Sequence, residues 1–303
     1  MSALNIRHPC LSALIVGASA HRCSIARPGR SIMASFLLRN LSSTRFAPKQ
    51  QVADSDSGAA ALAQNKAPTI RRFWRNVGVE ERDGALAVVL DNRPIKTPDG
   101  QQIRIAPSQS ILAWLVAGEW EAQREFLGSH SLPLTSLVCR AIDGLADQQV
   151  RIDVIDELIK YFHTDSACLH EHFPQSLVDL QLKHYMPIVS WARETYGIDI
   201  AVTDNIFALR QSSQAADELR RVVSLFCPLK LAAFEKAVMT AKSFLIGLAL
   251  VEQRITAEQA AAAAQVETSA QTQLWGELEN AHDIDNAAIR QILGASACAS
   301  IGA

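Results

Sequence analysis

Near residue 107 the spacing of apolar residues changes, and that change limits the chain to a small set of folds. Before it, from about residue 70, apolar and polar positions alternate with the period of two that suits strands. Phe73, Arg75, Val77 and Val79 alternate with Trp74, Asn76, Gly78 and Glu80. Asp83-Gly84 follows as a hairpin turn, because glycine supplies the positive φ that tight hairpins need. Leu86, Val88 and Leu90 form the next strand face, ended by Asn92-Arg93-Pro94. Pro98-Asp99-Gly100 makes a second turn ahead of Ile103 and Ile105. From Ser108 onward the period is helical. Strands followed by a long run of helices predict an α+β chain: a small N-terminal antiparallel β unit over 69–107 and a larger all-helical domain over 108–294. About forty residues make a small core that needs support from its neighbour.

The helical half divides by its caps and breakers. Leu112, Leu115, Val116, Trp120, Gln123 and Leu127 fall near one face of a first helix that Gly128 closes. Thr135 and Asp147 are read as caps of the next two. Ser176 to Tyr196 is helical in pattern, with Pro187 expected to interrupt it and Gly197 to stop it. Ile198 to Val202 reads as a brief extended run. Two helices follow, over 213–226 and 229–251, parted at Pro228. Thr256 with Gln259 forms a capping box ahead of a long last helix that leaves at Gly294, so that 295–303 is a C-terminal tail.

The first fifty residues have a different composition. Arg7, Arg22, Arg27, Arg30, Arg39, Arg45 and Lys49 are basic, and no acid precedes Asp54. Arginine-rich, serine-rich, acid-poor ends mark organelle transit peptides. A secretory signal with Leu11 to Val16 as its apolar core is the rival reading, but basic residues continue well beyond it. Residues 1–50 are therefore expected to be a mitochondrial transit peptide and 51–68 a flexible linker. Of the 29 basic residues seven lie in that leader and none of the 31 acids does, so the remainder carries 22 against 31, a net charge of −9. So acidic a body argues against nucleic-acid binding, which rests on neutralising phosphates. The longest apolar run, Phe244 to Val251, is too short for a membrane span. The four cysteines outside the leader are isolated, as in a reducing compartment.

Catalytic signatures are missing. The sequence contains no phosphate-binding G-x-x-x-x-G-K-[ST], no G-x-G-x-x-G after a strand and no G-x-S-x-G elbow. Cys139 beside Arg140 lies on an apolar period and reads as core. His163, Asp165, Cys168, His170 and His172 crowd together and could bind zinc, making a metal-dependent enzyme the alternative function. Their spacing fits neither H-E-x-x-H nor a paired C-x-x-C, and exposed or capping roles are expected instead. No metal, cofactor or small-molecule substrate is expected.

Two groups look suited to protein contact. Glu119-Trp120 lies on the first helix. Near the end come Glu267, Gln271 and Trp275, spaced i, i+4 and i+8 on one face, followed by Gly276, Glu279 and Asp283. Tryptophan anchors with directed polar groups dominate protein interfaces, although both tryptophans could equally be core and the carboxylates a solvated face.

The order of motifs carries a resemblance. Arg72-Phe73-Trp74 precedes a hairpin and Asp91-Asn92-Arg93-Pro94-Ile95-Lys96-Thr97-Pro98. Glu119-Trp120-Glu121-Ala122-Gln123, Leu132-Pro133-Leu134-Thr135, Ala141-Ile142-Asp143, Thr164-Asp165, Gln181, Pro187, Lys242-Ser243-Phe244-Leu245-Ile246 and Trp275-Gly276-Glu277-Leu278-Glu279-Asn280-Ala281-His282-Asp283 follow in order. Over residues 70–290 this resembles the mitochondrial chaperones that deliver the F1-ATPase alpha subunit for assembly. Ala270, where that family usually has an aromatic, and Tyr185-Met186, where it has tryptophan with an acid, depart from the pattern. The resemblance implies a non-catalytic matrix protein that holds the free alpha subunit until the beta subunit replaces it. It marks Trp120 and Glu279 as the positions most expected to matter; with Glu119, Glu267, Gln271, Trp275 and Asp283 from the reading above, they make up the client-binding candidates.

Overall fold

A computed structural model describes residues 70–205, 207–277 and 282–303, leaving the leader, the linker and Glu279 outside the described residues. The fold is α+β. Strands β1 (Val77–Arg82), β2 (Ala85–Leu90) and β3 (Arg93–Pro94) form an antiparallel sheet in the order β1-β2-β3. Arg82 pairs with Ala85, so Asp83 and Gly84 make a two-residue turn, with φ of 50° and 73°. Asp91 and Asn92 repeat that left-handed geometry between β2 and β3, with φ of 46° and 68°. The Asp91 carboxylate accepts from Asn76 N at 2.9 Å and Arg75 N at 3.1 Å, which holds its pKa below the ordinary range. Thr97, fully buried, accepts from Gln101 N at 3.1 Å through its hydroxyl. The D-x-R-P-x-K-T-P motif is thus turn chemistry that folds the edge of the sheet. Ile105 pairs with Leu86 on the far edge of β2, and both Ala87 and Val88 are buried, so β2 is covered on both faces.

Eleven α-helices follow among the described residues: α1 (Ser110–Glu121), α2 (Pro133–Cys139), α3 (Gln148–His163), α4 (Gln175–His184), α5 (Met186–Tyr196), α6 (Ser213–Ser224), α7 (Pro228–Ala241), α8 (Phe244–Val251), α9 (Ala257–Ala264), α10 (Val266–Trp275) and α11 (His282–Ser300). Helix α1 lies on β1 and β2, and the sheet and helices share one continuous core that runs from Trp74 and Val88 through Trp120 to Phe244. Its centre is α8, every residue of which is buried, packed on α7, α5 and α3. Gly247 lets α7 and α8 approach closely, since a Cβ there would stand 2.6 Å from Val238 Cγ2 and 3.0 Å from Val238 N.

Several expected boundaries hold. Asp147 caps α3 through Gln149 N and Val150 N, and Gly197 ends α5 in the left-handed region at φ 64°. Pro187 stands in the first turn of α5, and the chain breaks before it at Tyr185. Thr256 and Gln259 form both halves of a capping box.

Others are corrected. The first helix ends at Glu121, not near Gly128, because Arg72 binds the carbonyls of Glu121 at 2.9 Å and Gln123 at 2.6 Å and Leu127 N turns to Ile70 O. The helix expected over 229–251 is two, broken where Lys242 takes a left-handed φ of 56° and Ser243 caps α8. The long last helix is three. Gly276, expected inside it, terminates α10 at φ 87°, and α11 runs through Gly294 to Ser300, so the expected tail is mostly helix.

The break before α8 is set by a buried carboxylate. Asp165 accepts from Ser243 Oγ at 2.6 Å, Leu245 N at 2.9 Å and Ala167 N at 2.9 Å. It joins the exit of α3 to the N-terminus of α8, where the helix dipole favours negative charge. Complete burial outweighs these bonds and pushes its pKa up to about 6.

Two outcomes are expected. Gly247→Ala lowers stability in urea by about 1–3 kcal/mol through overpacking, whereas Gly294→Ala, with open space around its Cβ, raises it by up to about 1 kcal/mol through helix propensity. Asp165→Ala orphans donors at about 1–3 kcal/mol each. Because the folded pKa lies above the ordinary 3.8, the titration of Asp165 contributes stability that is present below pH 4 and lost as pH rises through 6. The parent-minus-variant difference should therefore narrow over that window in parallel urea titrations.

Candidate functional site

The sequence-derived candidates fall into two environments. Glu119 and Trp120 face inward near the C-terminal end of α1. Trp120 is 1% exposed, packs at a tilt against Trp74 with ring centroids 5.2 Å apart, and donates from Nε1 to Thr135 Oγ1 at 3.1 Å. Thr135 Oγ1 in turn donates to Glu119 Oε2 at 2.7 Å. The Glu119 carboxylate also accepts from Leu134 N at 2.6 Å and Thr135 N at 2.9 Å. It thereby satisfies the free amides at the start of α2 from another helix. Burial raises its pKa against the opposing pull of those bonds. Thr135 is accordingly no cap itself. Gln123 extends the network, donating to Glu119 O at 2.9 Å and accepting from Gly128 N at 3.0 Å. Trp120 is thus buried and Glu119 half-buried, with their polar atoms engaged in the joint between α1 and α2.

The second environment is open. Glu267, Gln271 and Trp275 all lie on the solvent side of α10, with Trp275 78% exposed at its last turn. Leu274 is exposed beside it, as is Leu182 on α4, the helix that packs against α10. Val266 and Ala270 hold the opposite side of α10 in the core. Ala270 suits this packing because it is buried and small. Glu277 is exposed after the helix, and Asp283 with Asp285 is exposed in the first turn of α11, where carboxylates complement the helix dipole. The exposed side of α10 thus presents an indole and a leucine among polar residues, of which Glu267 is the one acid. Leu274 and Leu182 escaped the sequence reading, since apolar residues at helical spacing usually mark a core.

The histidine-rich stretch does not converge. Asp165 is buried in its capping role, His170 contacts Ala167 O at 3.1 Å, and His172 is exposed and pairs with Asp204 at 3.2 Å. Among the described residues no cluster of three or more histidines, cysteines or carboxylates is arranged to hold a metal. Cys139 is buried with its thiol pushed up to about 12, chiefly by burial, which makes it a core side chain rather than a nucleophile. No helix of the described residues is long and apolar enough to cross a membrane.

A family profile described as ATP12 chaperone protein matches residues 71–193, the part that contains the sheet and the Glu119–Thr135 joint. The mitochondrial Atp12 protein of Schizosaccharomyces pombe is 30% identical over 241 residues, spanning 77% of this chain and 83% of that protein. The chain belongs to the ATP12 chaperone family. The mitochondrial ATP12 protein of Saccharomyces cerevisiae is 32% identical, over 77% of this chain and 84% of that one. The crystal structure of Atp12 from Paracoccus denitrificans superimposes with a TM-score of 0.67 at 29% identity, covering 77% of this chain and 97% of that one. This is the family expected from the order of motifs.

The ATP12 chain's two environments predict different failures. Trp120→Arg buries an unpaired charge and should cost several kcal/mol, enough to unfold the protein in a thermal scan. Glu119→Ala should cost about 1–3 kcal/mol by stranding the Leu134 and Thr135 amides. Glu267→Ala on the open face should shift stability by no more than about 0.5 kcal/mol.

Proposed function

We propose that this chain binds the unassembled alpha subunit of the F1-ATPase during assembly of the mitochondrial ATP synthase, covers the surface that later meets the beta subunit, and catalyses nothing. Membership of a chaperone family supports the class of function, and the motif resemblance supports this client. The observation that carries the reading is the exposed Trp275 beside the exposed Leu274 on the solvent side of α10, which also presents Glu267 and Gln271. An aromatic anchor within a polar rim is how non-obligate interfaces concentrate binding energy. A chaperone needs that arrangement, because an unassembled subunit exposes apolar surface that aggregates, yet must later be released.

Glu267, Gln271, Trp275, Asp283 and Glu279 are assigned to the contact, Glu279 from the resemblance since it lies outside the described residues. Residues 1–50 are assigned to targeting to the matrix and 51–68 to a linker, with an acidic body of charge −9 left after cleavage. The mitochondrial names of the yeast relatives support the organelle.

The test is an aggregation assay of purified alpha subunit beside thermal unfolding of each variant. Trp275→Ala and Glu279→Ala should unfold within about 0.5 kcal/mol of the parent, as surface changes do, yet protect the client poorly. Variants that protect as well as the parent would remove this face from the mechanism.

A further inference from the structure

Helix α1 is apolar on all sides, a pattern that normally marks a helix covered all round. Leu112, Ala113, Val116, Ala117 and Trp120 do face the core. On the opposite side Ile111 is 68% exposed, Trp114 61% and Leu115 39%, with Gly118 also open to solvent. Positions 111, 114, 115 and 118 are neighbours on one helical face, so the exposed side is as apolar as the buried one. At the end of α11, Gly302 lies against Ser108 and Gln109, just ahead of α1, and Ile301 next to it in sequence is exposed.

We propose that this outward face of α1, continued by Ile301, is a second docking surface for the apolar interface of the client, separate from the α10 face. The proposal rests on the alpha-subunit reading above. Two observations favour this occupant over a second copy of the chain. Three side chains on one helix make a patch of a few hundred Å², short of the roughly 800 Å² per partner that a stable dimer buries. In addition, α11 is 19 residues and about 28 Å long, with Ile301 just past one end and Asp283 in the first turn at the other. A standard interface of about 800 Å² per partner is about 30 Å across, so one client can engage both ends.

Binding of purified alpha subunit to the full chain, measured by titration, tests this together with photo-crosslinking from position 111. Trp114→Ser should weaken binding about tenfold while its thermal midpoint and monomeric sedimentation match the parent. With Ile111 replaced by photoreactive p-benzoylphenylalanine, illumination of the complex should yield a crosslink to the alpha subunit. The crosslink does not depend on how Trp114→Ser folds. Crosslinking to a second copy, to residues 1–69 of the same chain or to nothing would overturn the proposal, as would unchanged affinity in a folded Trp114→Ser. If Trp275→Ala weakens binding and Trp114→Ser does not, only this inference fails. If the parent does not bind the alpha subunit at all, the proposed function fails with it.

Discussion

The architecture depends on one carboxylate placed where water cannot reach it. Asp165 leaves α3 and ties Ser243 and the first amides of α8 across nearly eighty residues of sequence. Helix α8 is buried along its whole length, so its N-terminal amides have no solvent to bond with and need an internal acceptor. Ser243, which accepts from Ile246 N at 3.1 Å, caps α8 beside Asp165, and together they hold the chain where Lys242 turns. The packing of α7, α5 and α3 around α8 is arranged from that fixed point. Glu119 repeats the device on a smaller scale at the start of α2. In both places burial raises the carboxyl pKa, and hydrogen bonds from backbone amides oppose it.

This division of labour explains which features could be read from the sequence. Asp147, Pro187, Gly197 and the Thr256–Gln259 box act within a few residues of themselves, so their signals are local. Glu119 and Asp165 cap helices 15 and 80 residues away, and no spacing rule reports such pairings. Thr135 looked like a cap because it stands at the start of a helix, whereas its hydroxyl serves the Trp120–Glu119 network. The break at Lys242 was hidden because a lysine, not a glycine, adopts the left-handed conformation there. The candidate site divided for a similar reason. Periodicity placed Glu267, Gln271 and Trp275 on one face, but only packing shows which face is open. For Trp120 the same periodicity led into the core.

On the proposed reading, function depends on keeping rigid and adhesive parts apart. The carboxylates of Asp165 and Glu119 that join helices are turned inward and hydrogen-bonded, while the surfaces proposed for the client lie on α10, the start of α11 and the outer side of α1. A holding protein built this way can bind and release a client without disturbing its own core, since no capping carboxylate takes part in both.

Hydrogen–deuterium exchange of the full chain with and without bound alpha subunit reads this separation directly. The account predicts slower exchange on binding at the amides of α10, the start of α11 and around Trp114 on α1, with no change at Leu134, Thr135, Ala167 and Leu245. Faster exchange at Leu245 or Thr135 in the complex, with α10 unaffected, would contradict it, because the client would then be held by opening the core rather than by its surface.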